Sequence, residues 1–169
     1  MKRVLASALA LALAFALAAA GCGSDAESDD DQQQAELVTA AQVVTRFRQA
    51  PGQPRLRRAP PDEAWQQLSL GLNVPEKLLR RYGVFSVYVV KPGRSEAIRS
   101  LLTNKETRKA LERNAAGIYW EYDTFSRSYV AYKRYAANVV LAWWNEQKTP
   151  GTDARWTRLD ALLSGLETG

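Results

Sequence analysis

Histidine is absent from this 169-residue chain, and cysteine occurs only once, at Cys22. Without an imidazole, the chain cannot form a Ser-His-Asp triad, a Cys-His nucleophile or a histidine-ligated zinc site. With a single cysteine it cannot form an internal disulfide, so a folded domain must be stabilised by packing. The sequence also contains no CxxC motif and no glycine-rich phosphate loop. We therefore expect no cofactor, no metal ion and no assigned catalytic residue.

The N-terminal segment is basic at its start and apolar after it. Lys2 and Arg3 precede residues 4–20, an uncharged run that is mostly alanine and leucine. Its length fits the apolar region of a secretory signal peptide and is marginal for a membrane-spanning helix. The small residues at 19–21 stand directly before Cys22. This pattern predicts that the chain is exported.

The segment resembles the signal peptide and lipobox of bacterial lipoprotein precursors. In that family diacylglycerol is attached to the cysteine sulfur, a peptidase cuts the chain before the cysteine, and an N-acyl chain such as palmitate usually follows. The resemblance covers residues 1–22 only, and Ala19 stands where family members prefer leucine. It implies a signal peptide over residues 1–21 and lipidation of Cys22. The alternative is an ordinary secretory peptide, which would leave a free thiol on the exported protein.

Charge is unevenly distributed after Cys22. Residues 22–35 include five acids and almost nothing apolar, so we expect a flexible acidic tether. Aspartates 29–31 are typical of a solvated spacer, and the alternative is a ligand for calcium or for a basic patch. From Glu36 onward 21 basic residues stand against 13 acidic ones. We therefore expect one basic domain over residues 36–169, because this length suits a single core.

Hydrophobic periodicity predicts an α+β domain, with an antiparallel sheet of about four strands and helices packed on one face. Thr39 and Gln42 form a capping-box pattern, with Val38 and Val43 placed as a hydrophobic staple. The β-branched and aromatic runs predict strands over residues 84–90, 118–122, 129–135 and 139–144. Helices are predicted over residues 39–50, 60–72, 75–82, 95–102 and 103–114, and from Thr152 or Asp153 onward.

Five arginines without an intervening acid lie in residues 46–58. A charge of this kind near an anionic surface contributes about 1 kcal/mol. We therefore select Arg55, Arg57 and Arg58 as candidate ligand-binding residues for lipid headgroups or an anionic envelope polymer. The alternative is a solvated basic edge that discourages strand pairing.

Nine aromatic side chains lie in residues 119–144. Tyrosine and tryptophan on an exposed sheet face can stack on sugar rings, and neighbouring cations add hydrogen bonds. Tyr119, Tyr132, Lys133 and Arg134 are therefore candidate ligand-binding residues. The alternative is that the aromatic residues pair across strands and pack the core.

Glu121 and Asp123 are two residues apart on a predicted strand, so their side chains share a face. Paired carboxylates can act as acid and base in glycan hydrolysis when their pKa values are split. The alternative is pairing with Arg127 or Lys133 across the hairpin.

Together these features predict a lipid-anchored cell-envelope protein that acts as a non-enzymatic binding or accessory module. Its partners would be the membrane, through Cys22, and an anionic envelope polymer, a glycan or a protein. The expected location is the outer face of the bacterial plasma membrane or a periplasm-facing leaflet, which argues against nucleic acid. The alternatives are an envelope glycan hydrolase that uses the paired carboxylates and a small subunit of a membrane-associated complex.

Overall fold

One antiparallel sheet of seven strands carries the fold. The computed structural model describes residues 37–71, 73–104, 106–148 and 150–166. The strands are β1 (Arg57–Arg58), β2 (Trp65–Ser69), β3 (Val84–Val90), β4 (Glu112–Arg113), β5 (Ile118–Asp123), β6 (Ser128–Tyr135) and β7 (Val139–Asn145). The helices are α1 (Ala40–Gln49), α2 (Glu76–Tyr82), α3 (Glu96–Leu101) and α4 (Ala154–Ser164), with a 3₁₀ turn at Pro150–Thr152. The strands lie side by side in the order β1-β2-β3-β7-β6-β5-β4.

The predicted α+β class and antiparallel sheet are confirmed. Strands β3, β5, β6 and β7 are the four that the sequence predicts, and β7 lies at the centre of the sheet. All five residues from Val139 to Trp143 are buried. Because successive side chains of a strand point to opposite faces, burial at consecutive positions requires cover on both faces of β7.

The expectation of about four strands is wrong, because β1, β2 and β4 extend the sheet at its edges. The segment predicted as a helix from Pro60 instead begins with a turn, in which Ala64 N donates to Asp62 Oδ1 at 2.9 Å. Residues Trp65–Ser69 then pair with β3 along their whole length. Helix and strand propensities differ by only about 1 kcal/mol per residue, so this pairing decides the outcome.

The predicted helix over residues 103–114 is also wrong. Asn104 Oδ1 accepts hydrogen bonds from Glu106 N (3.0 Å) and Thr107 N (2.7 Å). Asparagine favours such turns because its side chain satisfies the backbone two or three residues on. The segment then returns to the sheet as β4, which pairs with β5.

Helices α1, α2 and α4 pack on one face of the sheet and enclose the larger core. The capping box of α1 is present at Thr39 and Gln42 as predicted, and both staple residues are buried. Asp153 is the N-cap of α4, and its side chain accepts a hydrogen bond from the backbone of Arg155. The buried residues contributed by the three helices are Val43, Phe47, Leu78, Tyr82, Trp156, Leu159 and Leu163.

Helix α3 packs on the opposite face, so the expectation that the helices cover one face only is wrong. Ala97 and Ile98 are buried against Val90 and Val140 in a separate, smaller cluster. These two valines alternate with the residues that face the larger core. Without α3 they would be exposed to water, at a cost of about 25 cal/mol for each Å² of apolar surface.

Val38, which precedes α1, is hydrogen-bonded to the turn between β6 and β7. Val38 N donates to Asn138 Oδ1 at 3.0 Å, and Asn138 Nδ2 donates to the carbonyl oxygens of Val38 (2.8 Å) and Val90 (2.9 Å). This buried amide therefore has all of its hydrogen-bonding groups satisfied, as buried polar groups require. The turn between β5 and β6 lies at the other end of β6, about 25 Å away for eight residues.

The predicted signal peptide over residues 1–21, the lipidation site Cys22 and the acidic tether over residues 22–35 lie outside the described residues. Within the part of the chain that the structure describes, no helix has the length and apolar character needed to cross a membrane.

Candidate functional site

The residues predicted to bind a ligand lie in two separate parts of the sheet. They are Arg55, Arg57, Arg58, Tyr119, Tyr132, Lys133 and Arg134. β1, with Arg57 and Arg58, is one edge strand, and β5, with Tyr119, lies five strands away. Neighbouring strands are about 4.8 Å apart, so roughly 24 Å separates these two groups. A single site built from all of them is therefore not formed.

The predicted aromatic face is also divided. Tyr119 is opposite Tyr132 in the strand pairing, and Arg134 shares their face because it follows Tyr132 by two residues. Lys133 points to the other face, where its Nζ lies 2.6 Å from Asp160 Oδ1 of α4. Lys133 therefore ties β6 to the helical layer instead of facing a ligand beside Tyr132.

Tyr132 is part of a hydrogen-bonded group within the protein. Its hydroxyl donates to Glu121 Oε2 at 3.2 Å. Burial, together with the nearby Glu121 carboxylate, raises the pKa of Tyr132 well above its usual value. The phenol therefore stays protonated, and its hydroxyl serves an internal contact.

The two carboxylates predicted as a catalytic pair share a face of β5 but have separate partners. Glu121 accepts from Asn104 Nδ2 at 3.1 Å and from Tyr132. Asp123 accepts from Ser126 Oγ at 2.7 Å, and this hydrogen bond lowers the pKa of Asp123. A general acid needs a raised pKa, so the geometry at Asp123 opposes that role.

A cleft of about 940 Å³ opens where β3 begins, and we call it the Val84 cleft. The Val84 side chain is 57% exposed and lies opposite Trp144 in the strand pairing. Ser86, two residues further along β3, is buried and accepts from Gln67 Nε2 at 3.0 Å. The apolar pair and the serine therefore lie on the same face of the sheet and line one cleft.

Serine hydroxyls lie on two sides of the cleft. Ser69 comes from the end of β2, while Ser126 and Ser128 come from the turn between β5 and β6. The Oγ atoms of Ser126 and Ser128 are 2.6 Å apart. Because a hydroxyl both donates and accepts, this lining can satisfy several polar groups of a ligand.

Beyond β7 the cleft is lined by charged groups. Glu146 is exposed there, and Arg155 is held by Asp153, with Nε 3.0 Å from Oδ1. The Arg155 hydrogen bond lowers the pKa of Asp153. The Arg155 guanidinium also lies 5.4 Å from the centre of the Trp143 ring. Its charge is therefore compensated within the protein, whereas Glu146 faces the cleft as an exposed acid.

Arg57 is the predicted ligand-binding residue that lies beside this cleft. It is opposite Ser69 in the strand pairing. Its side chain runs along the cleft residue Gly71, where an added Cβ would lie 2.6 Å from Arg57 Cδ. Arg58, the next residue, points to the opposite face.

The turn between β5 and β6 also carries the most exposed aromatic residue among the described ones. Phe125 is 98% exposed, and its backbone N donates to Asp123 Oδ1 at 2.9 Å. Tyr122 is 51% exposed and packs edge-on against Tyr129, with ring centroids 5.1 Å apart. An aromatic surface therefore adjoins the cleft without lining it.

Sequence reasoning missed the cleft itself. Ser86 is a polar residue at the centre of an apolar strand, and this was a usable signal. No sequence signal pointed to Val84, Trp144 or Ser128, because only strand pairing brings these residues together.

Among the described residues, no three histidine, cysteine, aspartate or glutamate side chains are grouped so that they could hold a metal ion.

No family model, curated protein or solved structure matches the chain. The fold and the cleft define its class coarsely, as an α+β domain built on one antiparallel sheet.

Proposed function

We propose that this chain is a lipid-anchored protein of the bacterial cell envelope whose domain binds a ligand in the Val84 cleft. The anchor rests on the lipobox-like residues 1–22. The ligand site rests on one observation: an apolar wall of Val84 and Trp144 lies between serine hydroxyls in a cleft of about 940 Å³. Small-molecule sites typically combine such a wall with a few polar groups in a similar volume.

The cleft lies at the end of the sheet away from the place where Val38 is bound. The chain joins the domain at Val38, beside the β6–β7 turn. The cleft lies at the other end of the same strands, next to Ser126 and Ser128. In our proposal the lipid on Cys22 retains the protein at the membrane, and the cleft binds envelope components.

The proposal is for a binding module without catalytic activity. Neither Glu121 nor Asp123 lines the cleft, and each is hydrogen-bonded to other groups of the protein. The absence of histidine removes the commonest general base. Binding is therefore the activity that these residues support best.

A role as a subunit of a membrane-associated complex is the second candidate, and the exposed aromatic turn favours it. Phe125 and Tyr122 present apolar area to solvent at one end of the sheet. Aromatic residues of this kind are common anchors in protein interfaces. This contact would be separate from the cleft, because neither residue lines it.

Thermal unfolding of the full chain with a panel of oligosaccharides, glycerol phosphate polymers and soluble lipid headgroups tests the cleft. A ligand at about 100 times its Kd stabilises the folded state by roughly 2.7 kcal/mol. We expect Val84→Tyr to abolish this shift because the larger side chain occupies the apolar surface beside Trp144 on which the ligand would lie. Without ligand, its stability should change by less than about 1 kcal/mol, since tyrosine also suits a strand.

The matched control is Phe125→Ser, which removes the neighbouring exposed ring and should leave the ligand-induced shift unchanged. The cleft proposal is overturned if no panel member shifts the wild type or if Val84→Tyr retains the full shift. The subunit role would be favoured if Phe125→Ser no longer binds a purified membrane-protein partner and Val84→Tyr still binds it.

A further inference from the structure

We infer that the Val84 cleft takes a saccharide that carries an anionic group, and that Arg57 binds this group. The inference rests on the proposed function, because it assigns a chemical class to the ligand of the same cleft. The argument uses the position of Arg57, the distribution of charge around the cleft and the nature of its lining.

A row of three residues leads from Arg57 to the floor of the cleft. Strand pairing aligns Arg57 with Ser69 and Ser69 with Ser86. All three therefore point to the same face, and neighbouring members are about 5 Å apart. A ligand on the two serines lies within reach of the long arginine side chain.

Opposite charges lie on opposite sides of the cleft. Arg155 is compensated by Asp153, whereas Arg57 has no ion pair among the described residues. Glu146 is the acid that lines the cleft on the side away from β1. The cleft is therefore positive at the Arg57 side and negative at the Glu146 side. A ligand with an acidic group at one end and neutral hydroxyls at the other matches this arrangement.

The lining between these charges suits a sugar. Serine hydroxyls can pair with sugar hydroxyls as donors or as acceptors. Trp144 and Val84 supply an apolar surface for the less polar face of a sugar ring. Arginine binds a carboxylate or a phosphate through two parallel hydrogen bonds. Uronic acids and sugar phosphates share the chemistry that this cleft would recognise.

Isothermal titration calorimetry of the full chain at low and high salt tests the assignment. The probes are a tetrameric uronic acid, the neutral tetrasaccharide with the same linkage, and a phosphorylated sugar of similar size. We expect at least one acidic probe to bind about tenfold more tightly than the neutral one at low salt. High salt should reduce this preference.

Arg57→Gln and Arg58→Gln form a matched pair, because they change charge equally at adjacent positions on opposite faces. Arg57→Gln should remove the preference for the acidic probe and leave the neutral probe unchanged. Arg58→Gln should alter either affinity by less than about twofold.

Three outcomes would overturn the inference. Equal losses in the two variants would show a general effect of net charge. Equal binding of acidic and neutral probes, abolished by Val84→Tyr, would remove the role of Arg57 while leaving the proposed function intact. Absence of binding by every saccharide would exclude this ligand class, and a shift with another member of the thermal panel would still support the cleft.

Discussion

At the scale of single residues, Gly83 and Gly93 differ in how closely other atoms approach them. Gly83 and Gly93 both have φ of +71°, a conformation that favours glycine. A Cβ on Gly83 would lie 2.7 Å from Trp143 Nε1, whereas nothing lies within 4 Å of a Cβ on Gly93. The Trp143 ring is fully buried, and Nε1 donates to Tyr82 O at 3.1 Å. The ring therefore has little freedom to move away.

We expect Gly93→Ala to lower the free energy of unfolding by about 1–2 kcal/mol, through strain alone. Gly83→Ala should lower it by a further 1–3 kcal/mol or so, because the methyl group overpacks the core and because the ψ of −164° at Gly83 lies in a region almost restricted to glycine. Urea unfolding of the full chain measures both. Equal losses would mean that the buried indole adjusts and that close packing does not require a glycine at this position.

Residue roles were predictable from sequence only where their partners are local. The cap of α1 was predicted correctly because Thr39 and Gln42 are three residues apart and depend on little else. Lys133 was assigned to a ligand-binding face, yet its partner Asp160 is 27 residues away. No local pattern in β6 indicates that helix α4 brings a carboxylate to this face.

At the scale of elements, composition predicted the strands with strong patterns of their own. β3, β5, β6 and β7 are rich in β-branched and aromatic residues and are bounded by turns, so their prediction was correct. β1 and β4 are two residues long and have no periodicity to detect. β2 has a tryptophan and a leucine, Trp65 and Leu68, that also fit a helical face, and its pairing with β3 decides its conformation.

Helix α3 packs against the smaller of the two buried apolar clusters. Its cluster contains four buried residues, Val90, Ala97, Ile98 and Val140, whereas the cluster on the other face contains nineteen among the described residues. Elements with little buried apolar surface open locally, without global unfolding. We therefore expect the amides of α3 to exchange hydrogen at an opening free energy about 2 kcal/mol or more below that of the β7 amides.

Leu163→Ala provides the control for this expectation. Leu163 is fully buried in the larger core, so its truncation should lower global stability by about 2–5 kcal/mol. Exchange from the β7 amides should accelerate accordingly. Exchange from α3 should stay the same as long as the β7 opening free energy remains above that of α3, because the larger core remains intact when α3 opens. If the α3 amides accelerate in step with β7, the domain unfolds as one cooperative unit and the argument is wrong.

At the scale of the whole molecule, the proposed lipid on Cys22 is one source of membrane attachment. The basic domain, with its 21 basic residues from Glu36 onward, would also be attracted to anionic lipid headgroups. Membrane association through charge must therefore be distinguished from association through a lipid on Cys22.

Substitution of Cys22 makes this distinction. We expect the wild-type chain to stay with membranes in high salt, because acyl chains contribute about 0.8 kcal/mol for each buried CH₂ and salt does not weaken this term. Cys22→Ser should accumulate as a precursor that retains residues 1–21 or be released as soluble protein. Ser24→Ala, a neighbouring conservative change, should behave as wild type. Mass spectrometry of the N-terminal peptide, combined with fractionation in high salt, measures both outcomes. If Cys22→Ser is processed normally and stays with salt-washed membranes, the lipid anchor is excluded and another part of the chain holds it there.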